Sequence, residues 1–242
     1  MHMRVEEDFK VIDHYLCICM PKEVDHHNAE TIIQQADAMI CQREVKNLIF
    51  DFSDTLCHFG GLDWLRETVG EERAMRIHRA MFLLPEWPIY DRGELNGESV
   101  KEKLCAALEG EDRELGLTYF DTWYRKHTII EGIPELLAEL KEKGYGIYLL
   151  SDYPECFEYN WESFEFFDMF DGRAVSYELH ARKRERTAFP LLLKRYNLRA
   201  EECFFVDDLY LNTDAATECG LTAHLFTTTE NLRADLVKLG IL

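Results

Sequence analysis

No apolar run in the 242 residues approaches the roughly 20 needed to cross a bilayer as a helix, so a membrane span is not expected. Met1 to Lys10 mixes charges of both signs and lacks the apolar core of a signal peptide, which makes the cytoplasm the expected location. Positive charge is scarce: 27 Lys and Arg face 46 Asp and Glu, a net of -19. That balance excludes a nucleic-acid or anionic-membrane partner, because phosphate backbones need a basic face. It leaves room for a small phosphorylated substrate, provided that a metal or a well-placed Lys or Arg supplies a local cation. Cysteine pairs with zinc-finger spacing are also missing. The eight cysteines (Cys17, Cys19, Cys41, Cys57, Cys105, Cys156, Cys203 and Cys219) are scattered, mostly beside aliphatic residues, as buried free thiols are. Cys17 and Cys19 share one face of a predicted strand, which fits packing better than metal binding. Internal repeats and low-complexity linkers are absent.

What is present is a chain 47% hydrophobic and 30% charged, as in globular proteins, and long enough for one α/β core with a modest insertion. Alternation over Lys10 to Met20 predicts one or two short strands with a turn at Asp13-His14. Asp25 can cap a helix carrying Ala29, Ile32, Ile33, Ala36, Met39 and Ile40 at helical spacing. His26 and His27 then lie in a solvated first turn, pointing in different directions. Leu48-Ile49-Phe50 reads as a strand buried on both faces, ending at Asp51. From about Gly61 to Lys126 the pattern is helical, with Pro85 to Gly93 expected as its loop and Trp64, Trp87 and Tyr90 as its core.

A regular succession follows. Pro134 opens a helix that Gly144 closes. A strand from Gly146 ends at Ser151, and Val175 is expected to open a short strand. Thr187 to Tyr196 reads as a helix, with Pro190 early in it. A strand from Cys203 ends at Asp207-Asp208, and Asn212 to Cys219 is a helix. His224 to Phe226 is the last strand, and Thr228 or Thr229 caps the final helix, Glu230 to Leu239. Strands alternating with helices predict an α/β, doubly wound parallel sheet. In such sheets ligands sit beyond the carboxyl ends of the strands. Three strands here end there in polar residues: Asp51, Ser151 and Asp207-Asp208.

Leu48-Ile-Phe-Asp-Phe-Ser-Asp-Thr-Leu56 resembles the first motif, hhhDxDGT, of the haloacid dehalogenase (HAD) superfamily. Leu149-Leu-Ser-Asp152 resembles its second motif. Ser176-Tyr-Glu-Leu-His-Ala-Arg-Lys-Arg-Glu185 is similar to the third, and Phe204-Phe-Val-Asp-Asp208, with Asn212 and Gly220, to the acidic fourth. The likeness covers about four-fifths of the chain. It is nearest to sugar-phosphatase-like members of the bacterial glucose-1-phosphatase group, whose helical cap lies between the first two motifs and which Tyr90-Asp-Arg-Gly93 also resembles. It implies a Rossmann-like HAD domain over 46–242, with core 46–60 and 128–242 and a helical cap at about 61–127.

The same resemblance implies the chemistry. Asp51 would attack phosphorus and form an aspartyl-phosphate. Asp51, Asp207, Asp208 and the backbone carbonyl of Ser53 would hold Mg²⁺ with hard oxygen ligands. Ser151 would hydrogen-bond a phosphate oxygen, and Lys183 would neutralise the transferring group. Asp152 would border the phosphate, and Arg92 is a candidate substrate contact, with a salt bridge inside the cap as the competing role.

Four positions depart from the family pattern. Ser53 stands where the general-acid Asp is usual, and positioned acid-base catalysis is typically worth about 10² to 10⁴ in rate. Asp54 replaces a Gly, Asp152 an Asn and Arg184 a Pro; the last is expected to loosen the loop carrying Lys183. In addition, Val24 to Thr31 and the continuation to Asp54 resemble the first half of a STAS (anti-sigma-factor antagonist) domain, without its phospho-acceptor serine. A strand that is central in a HAD sheet has both edges filled. Residues 1–45 are therefore expected to form a STAS-like appendage for a homodimer or protein-partner contact. The expected function is a Mg²⁺-dependent phosphatase for a small, sugar-like phosphomonoester. The competing functions are a catalytically weak regulatory or scaffold protein and a phosphosugar mutase.

Overall fold

The computed structural model describes residues 9–12, 15–18 and 44–242. The strand β3 (Asn47–Phe50) has Leu48, Ile49 and Phe50 wholly buried. Successive side chains of a strand point to opposite faces. Leu48 and Phe50 therefore enter one hydrophobic cluster and Ile49 another, on the other side of the sheet. The apolar run with no polar interruption arises from this double burial. β3 pairs in parallel with β6 (Gly146–Ser151) on one edge and with β8 (Cys203–Asp207) on the other. β7 (Gly172–Val175) and β9 (Thr222–Leu225) complete a five-stranded sheet of order β7-β6-β3-β8-β9, parallel throughout.

This sheet is the doubly wound α/β architecture read from the sequence. The strands β1 (Phe9–Ile12) and β2 (Tyr15–Ile18) pair antiparallel with each other, in register Phe9 to Ile18, as a separate two-stranded sheet. The helix expected after Asp25, the residues His26 and His27, and Cys19 and Cys41 lie outside the described residues.

A second small sheet joins β4 (Cys57–Phe59) to β5 (His127–Ile129) and closes the neck of a helical insert. Between these strands run helices 61–69, 71–82, 87–91, 97–107 and 110–122. The segment Pro85 to Gly93, expected as loop, contains the short helix Trp87–Asp91. Pro88 at its second position needs no N–H there, and Trp87 and Tyr90, three residues apart, both turn inward. Val175 closes β7 instead of opening a strand, and Ser176–Leu179 turns at once into a helix. The other elements lie within two residues of their sequence-based positions, and helix ends commonly vary by that much. Helix Ala188–Tyr196 starts late enough that Pro190 costs no hydrogen bond. Thr228 caps helix Thr229–Lys238 by accepting the Asn231 N–H at 3.2 Å. Among the described residues no helix is long and apolar enough to cross a membrane.

Candidate active site

The central strand and its two neighbours put Asp51, Ser151 and Asp207 on one rim of the sheet, at the point where the strand order reverses. The Asp51 N–H donates to the Val206 carbonyl at 2.9 Å, so the ladder runs one residue past the strand and fixes where the carboxylate stands. Lys183 comes after β7 and the helix Ser176–Leu179, on a single 3-10 turn, Lys183–Glu185. Its ammonium is 1% exposed, 2.8 Å from Asp51 Oδ1 and 2.6 Å from Asp207 Oδ2. The contact to Asp51 is an ion pair lying off the hydrogen-bond directions of Oδ1, whereas that to Asp207 is a hydrogen bond.

Asp207 is fully buried and its oxygens are taken by protein donors: Leu209 N–H at 2.8 Å, Asn212 Nδ2 at 2.9 and 3.0 Å, and Lys183. Burial alone would lower the Lys183 pKa, but Asp207 and Asp51 hold it above its ordinary value. The Asp51 carboxyl is pushed up to about 7 by burial, against the pull of Lys183 and with the help of Asp207 and Asp208. Burial and Asp207 raise half-buried Asp208 to about 6.

One lysine thus stands among three carboxylates. Asp51, Asp207 and Asp208 each offer an oxygen within 4.8 Å of the others. A crowded set of hard oxygen donors, whose members resist ionising together, fits a small divalent cation.

Ser151 is buried at the end of β6 and lines the cavity above Asp51, as do Ser53, Asp152, Lys183 and Asp208. The Ser53 hydroxyl lies 3.2 Å from His127 Nε2, and His127 Nδ1 lies 3.3 Å from the Tyr124 carbonyl. A carbonyl can only accept, so Nδ1 carries the ring proton and Nε2 accepts the proton of Ser53. Burial lowers the His127 pKa to about 4, which keeps the ring neutral. The hydroxyl proton is therefore turned away from the cavity.

The other departures also have a physical account. Asp54 adopts the left-handed conformation (φ 54°) that a glycine would favour, and its Oδ1 accepts from Phe59 N–H at 3.0 Å. The loop with Arg184 in place of proline is anchored, not loosened. Asp152 Oδ1 accepts the Lys183 N–H at 3.0 Å, and Arg182 stands between Asp152 at 3.5 Å and Asp91 at 3.4 Å.

Arg92 is not among the cavity-lining residues. Its guanidinium pairs with Glu94 inside the insert at 3.1 Å and with Glu185 on the Lys183 turn at 2.9 Å. The salt-bridge role weighed for it therefore extends across to the core. Among the described residues Cys57, Cys105, Cys156, Cys203 and Cys219 are free thiols, and burial pushes that of Cys203 up to about 12.

Sequence reasoning missed His127, Asn212 as the clamp on Asp207, and the Asp91–Arg182–Asp152 chain. Of these, only Asn212 carried a local signal, one helical turn past the acidic pair.

The comparisons with known proteins give the family and the fold. A family model described as "Hydrolase: haloacid dehalogenase-like hydrolase" matches residues 45–220. No curated protein sequence matches the chain. Among solved structures, a HAD family enzyme of Bacteroides thetaiotaomicron in a magnesium complex is 20% identical, with a TM-score of 0.60 over 80% of this chain and 98% of that one. The L-2-haloacid dehalogenase of Xanthobacter autotrophicus, with chloropropionic acid covalently bound, is 18% identical, with a TM-score of 0.60 over 82% and 84%. A predicted phosphoglycolate phosphatase of Haemophilus somnus is 18% identical, with a TM-score of 0.51 over 74% and 84%.

Proposed function

The chain belongs to the haloacid dehalogenase-like hydrolases, and we propose that it is a Mg²⁺-dependent phosphomonoesterase acting through an aspartyl-phosphate on Asp51. The observation that carries this reading is the position of the Lys183 ammonium, 2.8 Å from Asp51 and 2.6 Å from Asp207, with Asp208 in reach. A nucleophilic carboxylate must stay ionised beside a dianionic ester, which needs concentrated positive charge. Asp51, Asp208 and the Ser53 carbonyl, with Asp207 behind, would hold Mg²⁺, which would supply the rest of that charge. The Bacteroides thetaiotaomicron enzyme has also been crystallised with magnesium and inorganic phosphate.

The residues divide the work. Asp51 attacks phosphorus as the ester bond breaks. Lys183 neutralises charge that builds on Asp51 and the phosphoryl oxygens, and Ser151 donates a hydrogen bond to one of them. Asp207 is a positioning residue, because its oxygens are spent on Lys183, Asn212 and Leu209. Asp152 acts from behind, fixing the backbone of Lys183. Arg92 takes no substrate role and ties the insert to the Lys183 turn.

Three carboxylates around one lysine also favour this reading over halide displacement, in which no phosphate charge calls for a divalent ion. A phosphosugar mutase would need an acid-base residue to deliver the phosphoryl group to a second hydroxyl, and Ser53 is a poor one. The test is phosphate release from p-nitrophenyl phosphate with and without Mg²⁺. Wild type should depend on the metal, and Asp51→Asn should lose at least about 10³-fold in kcat. Equal activity in the two proteins, or none in wild type with metal present, defeats the phosphatase reading and leaves the binding-module alternative.

A further inference from the structure

The cavity above Asp51 has a volume of about 550 Å³, within the range of sites for drug-sized ligands, so it holds far more than a phosphate. Its upper wall comes from the insert and is aromatic: Phe59, Phe82, Trp87 and Trp123, with Tyr153 of the core completing the row. The rings fix one another. Phe82 meets Trp87 at 4.4 Å between centroids, Trp123 edge-on at 5.3 Å and Phe59 edge-on at 5.8 Å, while Trp123 stacks on Tyr153 at 4.8 Å. The insert gives the cavity only two polar side chains, and both are engaged. His78 lies 3.1 Å from the Tyr119 hydroxyl, and Asp91 faces Arg182 at 3.4 Å. A sugar held against this wall would lose water from several hydroxyls and regain few partners there, at roughly 1–3 kcal/mol for each group left unpaired.

A second observation, independent of the wall, concerns the proton. An alkyl or sugar alkoxide is a poor leaving group unless an acid protonates it as the bond breaks. At the position that would do so, Ser53 directs its hydroxyl proton at His127. A phenolate needs no such help. Resting on the phosphomonoesterase reading, we propose that the substrates are aryl phosphomonoesters, whose ring lies against the Phe82–Trp87–Trp123 wall. In the step this implies, an Asp51 oxygen bonds to phosphorus and the bond from phosphorus to the aryl oxygen breaks. The electron pair stays on that oxygen, and the phenolate is protonated by solvent. Water then cleaves the aspartyl-phosphate, giving inorganic phosphate and restoring Asp51.

The experiment is a substrate panel with the intact protein and Mg²⁺: 2-naphthyl phosphate, phenyl phosphates of graded leaving-group acidity, glucose 6-phosphate, glycerol 2-phosphate and acetyl phosphate. The expected result is kcat/KM for 2-naphthyl phosphate at least about 10² above either alkyl ester, the low end of what a missing general acid costs. Within the phenyl series, kcat/KM should rise steeply as the leaving group becomes more acidic. Phe82→Leu and Trp87→Leu should each lower the ratio of 2-naphthyl to acetyl phosphate turnover by about tenfold, the scale of a lost aromatic contact with its buried area. Acetyl phosphate separates the two readings. If it is not hydrolysed, the phosphatase reading falls and this one with it. If it is hydrolysed while alkyl and aryl esters are equal, only the aryl assignment is overturned. Alkyl turnover that disappears in Asp91→Asn would overturn it too, by showing that the insert supplies an acid.

Discussion

On the sheet rim Lys183 is held between Asp51 and Asp207 at 2.8 and 2.6 Å, and charge decides where each group stands. Across the cavity Phe82, Trp87 and Trp123 are held in tilted and edge-on contacts at 4.4 to 5.6 Å, and apolar area decides. The rim is assembled from strand ends, so its geometry is tied to the sheet and its cost is electrostatic. The insert buries Leu65, Ala74, Ile77, Met81, Val100 and Leu104, in a hydrophobic cluster that continues into Leu48 and Phe50 of the sheet. Its polar ties to the rim side include Ser176 Oγ donating to the Asp91 carbonyl at 2.6 Å, His180 Nδ1 to the Arg92 carbonyl at 2.7 Å, Asp91 with Arg182 at 3.4 Å, and Arg92 with Glu185. The charged rim and the aromatic wall are thus held in place by different physics.

The sharpest way to break that contrast is to remove the cation. Lys183→Met leaves Asp51 and Asp207 buried without their partner. Breaking a buried pair in this way typically costs about 3–5 kcal/mol. Without metal the loss should be full near pH 8 and shrink toward pH 5, where the stranded carboxyls take up protons instead. Urea unfolding at the two values measures it, and a loss independent of pH would mean that packing, not charge, governs the rim. Turnover should fall about 10² to 10³-fold, as when a transition-state charge loses its partner.

The insert should respond in the opposite way. Leu104→Ala removes a wholly buried side chain from helix 97–107, away from the cavity lining. It should cost about 2–5 kcal/mol at pH 5 and pH 8 alike, because the loss is one of apolar packing. A strong pH dependence there would tie the insert to the rim electrostatically.

Metal addition sharpens the rim side further. A carboxyl whose folded pKa is raised binds more protons folded than unfolded, so stability is lost as pH rises through that pKa. With Asp208 near 6 and Asp51 near 7, the metal-free protein should weaken between about pH 4 and 7. Mg²⁺ binds the ionised carboxylates, so its stabilisation should grow over the same window. At about 100 times its dissociation constant the gain is about 2.7 kcal/mol. Thermal unfolding with and without Mg²⁺ across that range checks the sign.

The two regions also differ in how far the sequence discloses them. Asp51, Ser151 and Asp207 are each the first polar residue after a buried apolar run, a local pattern that the parallel sheet turns into one rim. Lys183 was legible through its motif, although only folding brings it 24 residues' distance in sequence onto Asp207. The partnership of Ser53 with His127 spans 74 residues and depends on Phe59 pairing with His127 in the small neck sheet, which no local pattern encodes. The cavity wall was hidden for a similar reason. The sequence predicts Trp87 as core, and the structure makes it wall as well: 7% exposed, yet bordering the cavity. The helix at Trp87–Asp91 was masked by Pro85 just before it and Pro88 at its second position, since prolines mark turns as readily as first helical positions.

The smallest effect belongs to the tie between the regions. Arg92 is about one-fifth exposed, and its partners Glu94 and Glu185 are more than two-fifths exposed. Solvent and salt screen such a pair, and exposed ion pairs typically measure about 0.2–1 kcal/mol. Arg92→Ala should therefore lower stability by no more than about 1 kcal/mol, and less at high salt. Glu185 would lose one of its two arginine-side contacts, keeping the Arg182 N–H at 3.4 Å, so the Lys183 turn stays anchored through Asp152 at 3.0 Å. Turnover of acetyl phosphate should then change less than turnover of a bulky ester that needs the insert held in place. A uniform loss on both would mean that Arg92 acts on the phosphoryl group itself, and the division between rim and insert would have to be redrawn around it.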